Sequence, residues 1–198
     1  MSTQYSTTHR TNSMSTLITD IGINAQIIIY SGAIPANVAT APTGTLLVQY
    51  AGNATAFGTS TTAVLTASAV ANATAAAAGT AGYYRINTSA AAAVMQGTVF
   101  QSVAIATNAL TAANSNVLNF ASTTGVAVGQ SVSGTGIVAG STVLAFTGTT
   151  VTLSFASTAG VASAASITFG GDIVLGNVVI AAGQTCTFNS FTVTANGA

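Results

Sequence analysis

The side chains that usually carry chemistry are scarce in this chain of 198 residues. Its charged residues, its one histidine and its one cysteine are Arg10, Asp20, Arg85, Asp172, His9 and Cys186. Catalysis by carboxyl groups needs two acids close together, and a serine or cysteine nucleophile needs a base. The two aspartates lie far apart in the sequence, and His9 lies in a polar segment without periodicity. We therefore predict no catalytic residue and a protein that is not an enzyme.

Cofactors, metals and nucleic acids are disfavoured by the same shortage. Metal sites combine several cysteine, histidine or carboxylate ligands, which this chain cannot supply from one region. Gly134-Thr135-Gly136 resembles part of a phosphate-binding loop, but no Gly-Lys-Ser/Thr follows it. Nucleic-acid binding needs a basic surface, and two arginines do not provide one. We expect no cofactor, no metal ion and no nucleic-acid partner.

The low charge content still constrains the class of protein. Charged residues make up 2% of the chain, against about 25% in ordinary globular domains. A soluble monomer with zero net charge and so few charges has little protection against self-association. Three classes of protein could explain so low a charge content: a membrane protein, a secreted surface layer and a component of a large assembly. Polar residues interrupt every apolar run well short of the roughly 20 residues that a spanning helix needs, so we predict no membrane partner.

The pattern of apolar residues predicts strands after an N-terminal segment of a different kind. Residues 1–13 are polar and lack periodicity, which is typical of a flexible arm. Met14, Leu17, Ile18 and Ile21 recur at helical spacing and predict a short helix between residues 13 and 23. The predicted strands cover residues 25–30, 45–50, 63–68, 82–87, 93–100, 172–175, 178–181 and 185–194. A shift in alternation at Asn189-Ser190 predicts a β-bulge, and the alanine-rich residues 73–78 and 90–93 are interpreted as loops or strand ends.

An internal repeat defines a second module. Residues 118–127 return as residues 153–162 at an offset of 35, with eight of ten positions identical. Two copies are too few for a solenoid, so we interpret them as two related strand-turn units. We predict an all-β protein with an antiparallel β-sandwich of jelly-roll or immunoglobulin-like type. Its parts are an arm (1–13), a main domain containing the short helix (14–107 plus 169–198) and an inserted small β module (108–168).

Arg85 and Asp172 are candidates for a structural ion pair. Arg85 lies within a predicted strand, and Asp172 opens the strand that follows the insert. In a chain with so few charges, a partly buried pair between them would fix the register of the strands. The alternative is that each side chain is solvated at a strand edge.

Six short motifs lie in the predicted main domain: Tyr30-Ser31-Gly32, residues 43–47, residues 79–85, Gly97-Thr98-Val99, residues 182–185 and Ser190-Phe191-Thr192. Together these motifs resemble those of a family of small structural proteins from the virions of tailed bacteriophages. The resemblance covers about residues 25–107 and 171–195. Separately, residues 108–168 resemble a β insert that recurs in phage structural proteins.

The resemblance implies a capsid decoration, or cement, protein that stabilises the head lattice. Its expected partners are the major capsid protein and further copies of itself in a homo-oligomer, with a trimer as one arrangement. Its expected location is the capsid surface of the virion, after synthesis in the host bacterial cytoplasm. Tyr5, His9 and Arg10 of the arm are the expected capsid contacts. A tail or head–tail connector component and a virion-displayed module that binds host-surface glycans remain the alternatives.

Overall fold

The computed structural model describes residues 5–52, 57–58, 64–171, 173–175 and 177–194. Over these residues the protein is all-β, with strands in mostly antiparallel sheets and one short helix, α1 (Thr7–Ile21). The first strands in chain order are β1 (Gln26–Ser31), β2 (Leu46–Ala51), β3 (Val64–Thr66), β4 (Ala73–Thr74), β5 (Gly79–Asn87), β6 (Ala93–Phe100), β7 (Val103–Ala106) and β8 (Val117–Asn119). The later strands are β9 (Ser131–Ser133), β10 (Val143–Phe146), β11 (Thr150–Leu153), β12 (Ser166–Gly170), β13 (Ile173–Leu175), β14 (Val179–Ile180), β15 (Thr185–Cys186) and β16 (Phe188–Thr194).

The chain divides into two compact units, and the second interrupts the first. The first unit is Met1–Phe100 with Asp172–Ala198, and the second unit is Gln101–Gly171. The insert is therefore longer at both ends than the predicted range of 108–168. The reason is that β7, whose residues fall within the predicted main domain, pairs with β12 of the insert.

In the first unit, the strands that flank the insert are neighbours. β6 and β13 pair in parallel, with Val99 opposite Ile173 and Phe100 opposite Val174. The chain thus leaves the first unit and re-enters it at adjacent points of one sheet. A parallel pair needs a long connection between its strands, and here the whole second unit provides it.

Eight of the described strands of the first unit form one sheet that folds over on itself, and β4 and β15 form a separate two-stranded sheet. The order of the eight-stranded sheet is β2-β1-β5-β6-β13-β16-β3, and β14 pairs with β5. Tyr50 on β2 and Phe188 on β16 are five places apart in this order, or about 24 Å in a flat sheet. Their ring centroids are nevertheless 5.1 Å apart in an edge-to-face contact. The two ends of the sheet therefore face each other across a core, in the manner of a β-sandwich.

Strand β1 is buried on both of its faces. Ile27 and Ile29 point into the main core of the first unit, whereas Ile28 and Tyr30 pack with Tyr83 on the opposite face. Successive side chains of a strand alternate between faces, so the continuous apolar run of β1 fits a strand covered on both sides. The segment between β1 and β2 covers this second face.

The predicted bulge in the last strand is confirmed. In the antiparallel pair of β13 and β16, Val174 lies opposite Ser190 and Leu175 opposite Phe188, so Asn189 is the extra residue.

The first alanine-rich segment, residues 73–78, begins with a short strand. Its residues Ala73–Thr74 form β4, which pairs with β15.

The N-terminal segment contradicts the prediction of a flexible arm at residues 7–13. Helix α1 begins at Thr7, and Ser6 caps it, because the hydroxyl of Ser6 accepts a hydrogen bond from the backbone N–H of His9 at 3.2 Å. Hydroxyl groups of Ser13, Ser15, Thr16 and Thr19 donate to carbonyl oxygens four residues earlier, which satisfies these side chains inside a helix. The predicted apolar face is present: Met14, Leu17, Ile18 and Ile21 pack against the core. Residues 1–4 of the predicted arm lie outside the described residues.

The second unit consists of two three-stranded antiparallel sheets, ordered β10-β11-β8 and β7-β12-β9. A separate apolar core lies within it, and the rings of Phe120 and Phe169 meet edge to face there at 5.6 Å. Both rings are fully buried.

The two copies of the sequence repeat are related by a local twofold axis. Val117 lies directly opposite Thr152 in one sheet, and Ser133 lies directly opposite Thr168 in the other. Both pairs differ by the repeat offset of 35 residues. A twofold axis passes between opposed residues of an antiparallel pair, so one axis through both pairs exchanges the two copies.

Local backbone geometry supports the same relation. The N–H of Gln130 donates to the carbonyl oxygen of Ala127 at 3.3 Å, and the equivalent bond from Ala165 to Ala162 is also 3.3 Å. Gly129 and its counterpart Ala164 both have positive φ, 90° and 61°. The second unit is therefore a duplicated fold, in which each copy adds strands to both sheets.

Candidate functional site

Arg85 is the buried centre of a partly buried polar cluster on the outer face of the eight-stranded sheet. It lies on β5, between β1 and β6, and is only 4% exposed. Its Nη2 donates to the backbone carbonyl oxygen of Thr40 and, at 3.1 Å, to Oε1 of Gln96. Gln96 faces Arg85 across the β5–β6 pair and in turn donates from Nε2 to the carbonyl oxygen of Pro35 at 2.8 Å. The two side chains thus fasten the segment between β1 and β2 over the sheet.

The predicted pair of Arg85 and Asp172 stays a prediction, because Asp172 lies outside the described residues. The alternative for Arg85, a solvated side chain at a strand edge, is wrong, since Arg85 is buried in the interior of the sheet. Sequence reasoning missed Gln96 and Thr40 as its partners. Pairing of the predicted strands 82–87 and 93–100 as a hairpin would have placed Gln96 near Arg85, whereas nothing in the sequence indicates the contact with Thr40.

Two tyrosines flank this cluster. The rings of Tyr30 and Tyr83 are stacked, with centroids 5.1 Å apart and planes inclined by 12°. Burial raises the pKa of Tyr30, the neighbouring Tyr83 raises it further, and Arg85 opposes the shift. Within the described residues, the hydroxyl of Tyr83 and Nε of Arg85 have no hydrogen-bond partner. Tyr30 therefore remains a neutral phenol at ordinary pH, which suits a packing role.

The predicted contact residues Tyr5, His9 and Arg10 lie at the start of α1. The rings of Tyr5 and His9 are stacked at a centroid distance of 4.9 Å, and Tyr5 is 51% exposed. Nη2 of Arg10 donates to the hydroxyl of Thr7 at 3.4 Å. The three residues thus lie at or just before the first turn of α1, where Tyr5 and His9 are exposed and Arg10 is half-buried, as a structured surface rather than a flexible one.

A cavity of about 220 Å³ lies beside Tyr50 and Cys186. The thiol of Cys186 is buried, and burial raises its pKa. A thiol with a raised pKa is a poor nucleophile, because the thiolate is the reactive form. Tyr50 is fully buried, its pKa is likewise raised by burial, and its hydroxyl has no partner among the described residues. Neither group is activated for catalysis.

Within the described ranges, no cluster of three or more histidine, cysteine or acidic side chains is placed to hold a metal ion. No helix in that part of the chain combines the length and the apolar character required to cross a bilayer. Comparison of the chain with protein-family models, with curated proteins and with solved structures found no match.

The described surface combines exposed apolar side chains with very little charge. Arg85 is buried and Arg10 is half-buried, which leaves Asp20 as the one charged residue classed as exposed among the described residues. The second unit has no charged residue at all. Large apolar side chains are exposed in both units: Tyr5, Ile23, Ile34, Leu110, Val117, Val128, Leu144, Phe146, Phe155 and Val179.

Proposed function

We propose that this protein is a structural component of a tailed-bacteriophage virion and that it decorates the capsid as a cement protein. The observation that carries the proposal is the nearly uncharged surface with exposed apolar side chains. Interface cores in permanent assemblies are depleted in charged residues. The resemblance of residues 25–107 and 171–195 to phage virion proteins supplies the particular assembly.

A cement protein acts by adding contacts between neighbouring capsid subunits, so it needs no reactive side chain. Its partners are the major capsid protein and further copies of this chain, with a trimer as the working arrangement. The proposed capsid contact is the surface formed by the first turn of α1 and by Tyr5, which precedes it and serves as an aromatic anchor whose ring is already stacked on His9. An anchor held in place before binding loses little conformational entropy when it docks.

The decisive experiment is the stoichiometry of the protein to the major capsid protein in purified particles. We expect a fixed ratio that follows the capsid lattice. A single ring of copies at one vertex would instead identify a connector or tail component, and absence from the particle would overturn the proposal.

The capsid contact is tested by point variants, because deletion of residues 1–13 would also remove the first two turns of α1. Tyr5→Ala should weaken binding to capsids by about tenfold, as expected for an aromatic anchor at an interface. Thr16→Ala is the matched control, since Thr16 is exposed on the same helix and its hydroxyl donates to the backbone carbonyl oxygen of Asn12, four residues earlier in that helix. Equal binding by both variants would remove α1 from the interface.

A further inference from the structure

The second unit contains an open cleft between two segments of the duplicated fold. Residues 122–126 form one wall and residues 146–148 the other, and the cleft encloses about 300 Å³. Phe146, at the end of β10, lines it and is 44% exposed. The cleft thus has the volume for a small ligand and an accessible aromatic surface.

Hydroxyl groups line both walls of this cleft. Ser122 and Thr124 form a hydroxyl pair at 2.9 Å on one side, and the hydroxyls of Thr147 and Thr150 pair at 2.7 Å where the other wall meets β11. Ser122 also accepts from the backbone N–H of Thr124, and Thr147 accepts from the N–H groups of Thr149 and Thr150. Since a hydroxyl offers one donor and two acceptor sites, each pair retains one free donor, and the free donor of the second pair is the hydroxyl of Thr150. The hydroxyl of Thr123 is not available, because it donates to the carbonyl oxygen of Thr147 and ties the walls together.

The other end of the duplicated fold shows that the architecture does not require this cleft. At the repeat offset of 35 residues, Phe146 corresponds to Thr111 and Thr124 to Ala159. Thr111 forms two backbone hydrogen bonds with Val161, both 2.9 Å long, and both residues are buried. The equivalent end is thus closed, whereas the Phe146 end is open, aromatic and rich in hydroxyl groups.

We propose that the cleft at Phe146 binds a neutral saccharide. A sugar ring presents an apolar C–H face and a rim of hydroxyl groups, which complement an exposed aromatic ring flanked by hydroxyl pairs. The second unit offers no charged group to an acidic ligand. A purely apolar ligand would cover the free hydroxyl donor of each pair without giving it an acceptor. The proposal extends beyond a decorating role, because attachment to a capsid does not require a ligand cleft.

The test is a titration of the full-length, ¹⁵N-labelled protein followed by amide chemical shifts. The probes are methyl glycosides of glucose, galactose, mannose and N-acetylglucosamine, with galacturonate as the acidic comparison and glycerol as a simple polyol. A concentration of about 10 mM largely saturates a site of millimolar affinity. We expect at least one neutral glycoside to shift the amides of residues 122–126 and 146–148, with much smaller shifts from galacturonate and glycerol.

Variants separate this site from the rest of the surface. Phe146→Ala should weaken binding by about tenfold, whereas Phe155→Ala, which removes another exposed ring of the same unit, should leave it unchanged. Thr124→Ala is a second variant that should fold normally, because the equivalent position of the other copy is Ala159. It should also weaken binding.

Three results would overturn the proposal. The first is the absence of shifts with every neutral glycoside, and the second is equal binding by the wild type and the Phe146→Ala variant. The third is a change in oligomeric state on Phe146→Ala in the absence of sugar, which would identify the Phe146 surface as a contact between copies of the chain.

Discussion

The two units of this chain are both β structures, but they differ in what specifies them. The first unit contains all four charged residues, all five tyrosines, the histidine and the cysteine. The second unit contains none of these residue types, so it has no side chain that titrates in the usual pH range. Its polar interior depends on hydroxyl and amide groups, such as Thr107, Ser141 and Gln130, that bond to the backbone. Hydroxyl and amide groups thus satisfy most of the buried polar groups of this unit without any charge, with the hydroxyl of Thr111 as an exception.

The second unit also differs from the first in being duplicated, and its two copies have diverged at matched positions. Phe120 is fully buried, whereas its counterpart Phe155 is 38% exposed. In the first copy the ring packs on Phe169. The residue equivalent to Phe169 in the other copy is Gly134, which offers no ring to pack against. The same motif is thus a core element in one copy and part of the surface in the other.

The largest expected effect compares these two phenylalanines. Phe120→Ala should lower the free energy of unfolding of the second unit by about 3–5 kcal/mol, because it leaves a cavity in a close-packed core. Phe155→Ala should cost about 1 kcal/mol or less, because its ring is partly solvated. Denaturant unfolding, followed by methyl resonances of residues 101–171, measures both. Equal losses would mean that the two copies bury their aromatic rings alike.

The next effect concerns the buried charge of the first unit. Arg85→Met should lower the free energy of unfolding by about 2 kcal/mol, because the carbonyl oxygen of Thr40 and Oε1 of Gln96 each lose a hydrogen bond from a charged guanidinium group. Arg10→Met is the matched control and should change it by about 0.5 kcal/mol or less, since Arg10 bonds only to a hydroxyl within its own helix.

A double-mutant cycle then tests whether Arg85 and Gln96 act together. Gln96→Leu should cost less in the Arg85→Met background than in the wild type, because the coupled partner is already lost. Additive losses would show that Arg85 and Gln96 hold the segment of residues 32–45 independently of each other.

The sequence predicts those parts of the structure that depend on residues close together in the chain. The strand predicted at residues 93–100 is observed with the same bounds as β6, and the apolar face of α1 is also correct, because alternation and helical spacing are local signals. The predicted start of α1 was wrong, because the first two turns contain threonine, serine and asparagine, which have low helix propensity. The Ser6 cap and the packing of the later turns offset this low propensity.

The contacts around Arg85 and the cleft at Phe146 were beyond the reach of local patterns. Thr40 and Arg85 are separated by 45 residues, and their bond depends on how the segment before β2 crosses the sheet. The repeat was visible in the sequence, but its twofold relation depends on the pairing of β8 with β11 and of β9 with β12. For that reason the closed and open ends of the second unit could not be distinguished from the sequence.

A smaller effect is expected where the two copies share a left-handed backbone position. Gly129→Ala should destabilise the second unit by about 1–2 kcal/mol, because a side chain at a φ of 90° is strained. The reciprocal change at the equivalent residue, Ala164→Gly, should stabilise the unit by about 0.5 kcal/mol, since relief of strain at a φ of 61° exceeds the entropic cost of glycine. Thermal unfolding of both variants measures the pair. Destabilisation by both changes would contradict the structural equivalence of the two positions.

The smallest expected effect is the response of the second unit to pH, which should be nil. Stability depends on pH only through groups whose pKa differs between the folded and unfolded states, and residues 101–171 contain no such side chain. In the first unit, burial raises the folded-state pKa of Tyr30 above its ordinary value of 10.0. Its contribution is therefore fully present below pH 10 and is lost as the pH rises through the folded pKa, because the unfolded phenol ionises first.

Tyrosine fluorescence reports only on the first unit, and methyl resonances of residues 101–171 report only on the second, so one sample distinguishes the two responses. Above pH 10 the melting temperature of the first unit should fall, and Tyr30→Phe should reduce that fall. The melting temperature of the second unit should stay constant. A parallel fall in both signals would show that the two units unfold as one cooperative body, in which case the absence of titratable groups in the second unit would not protect it.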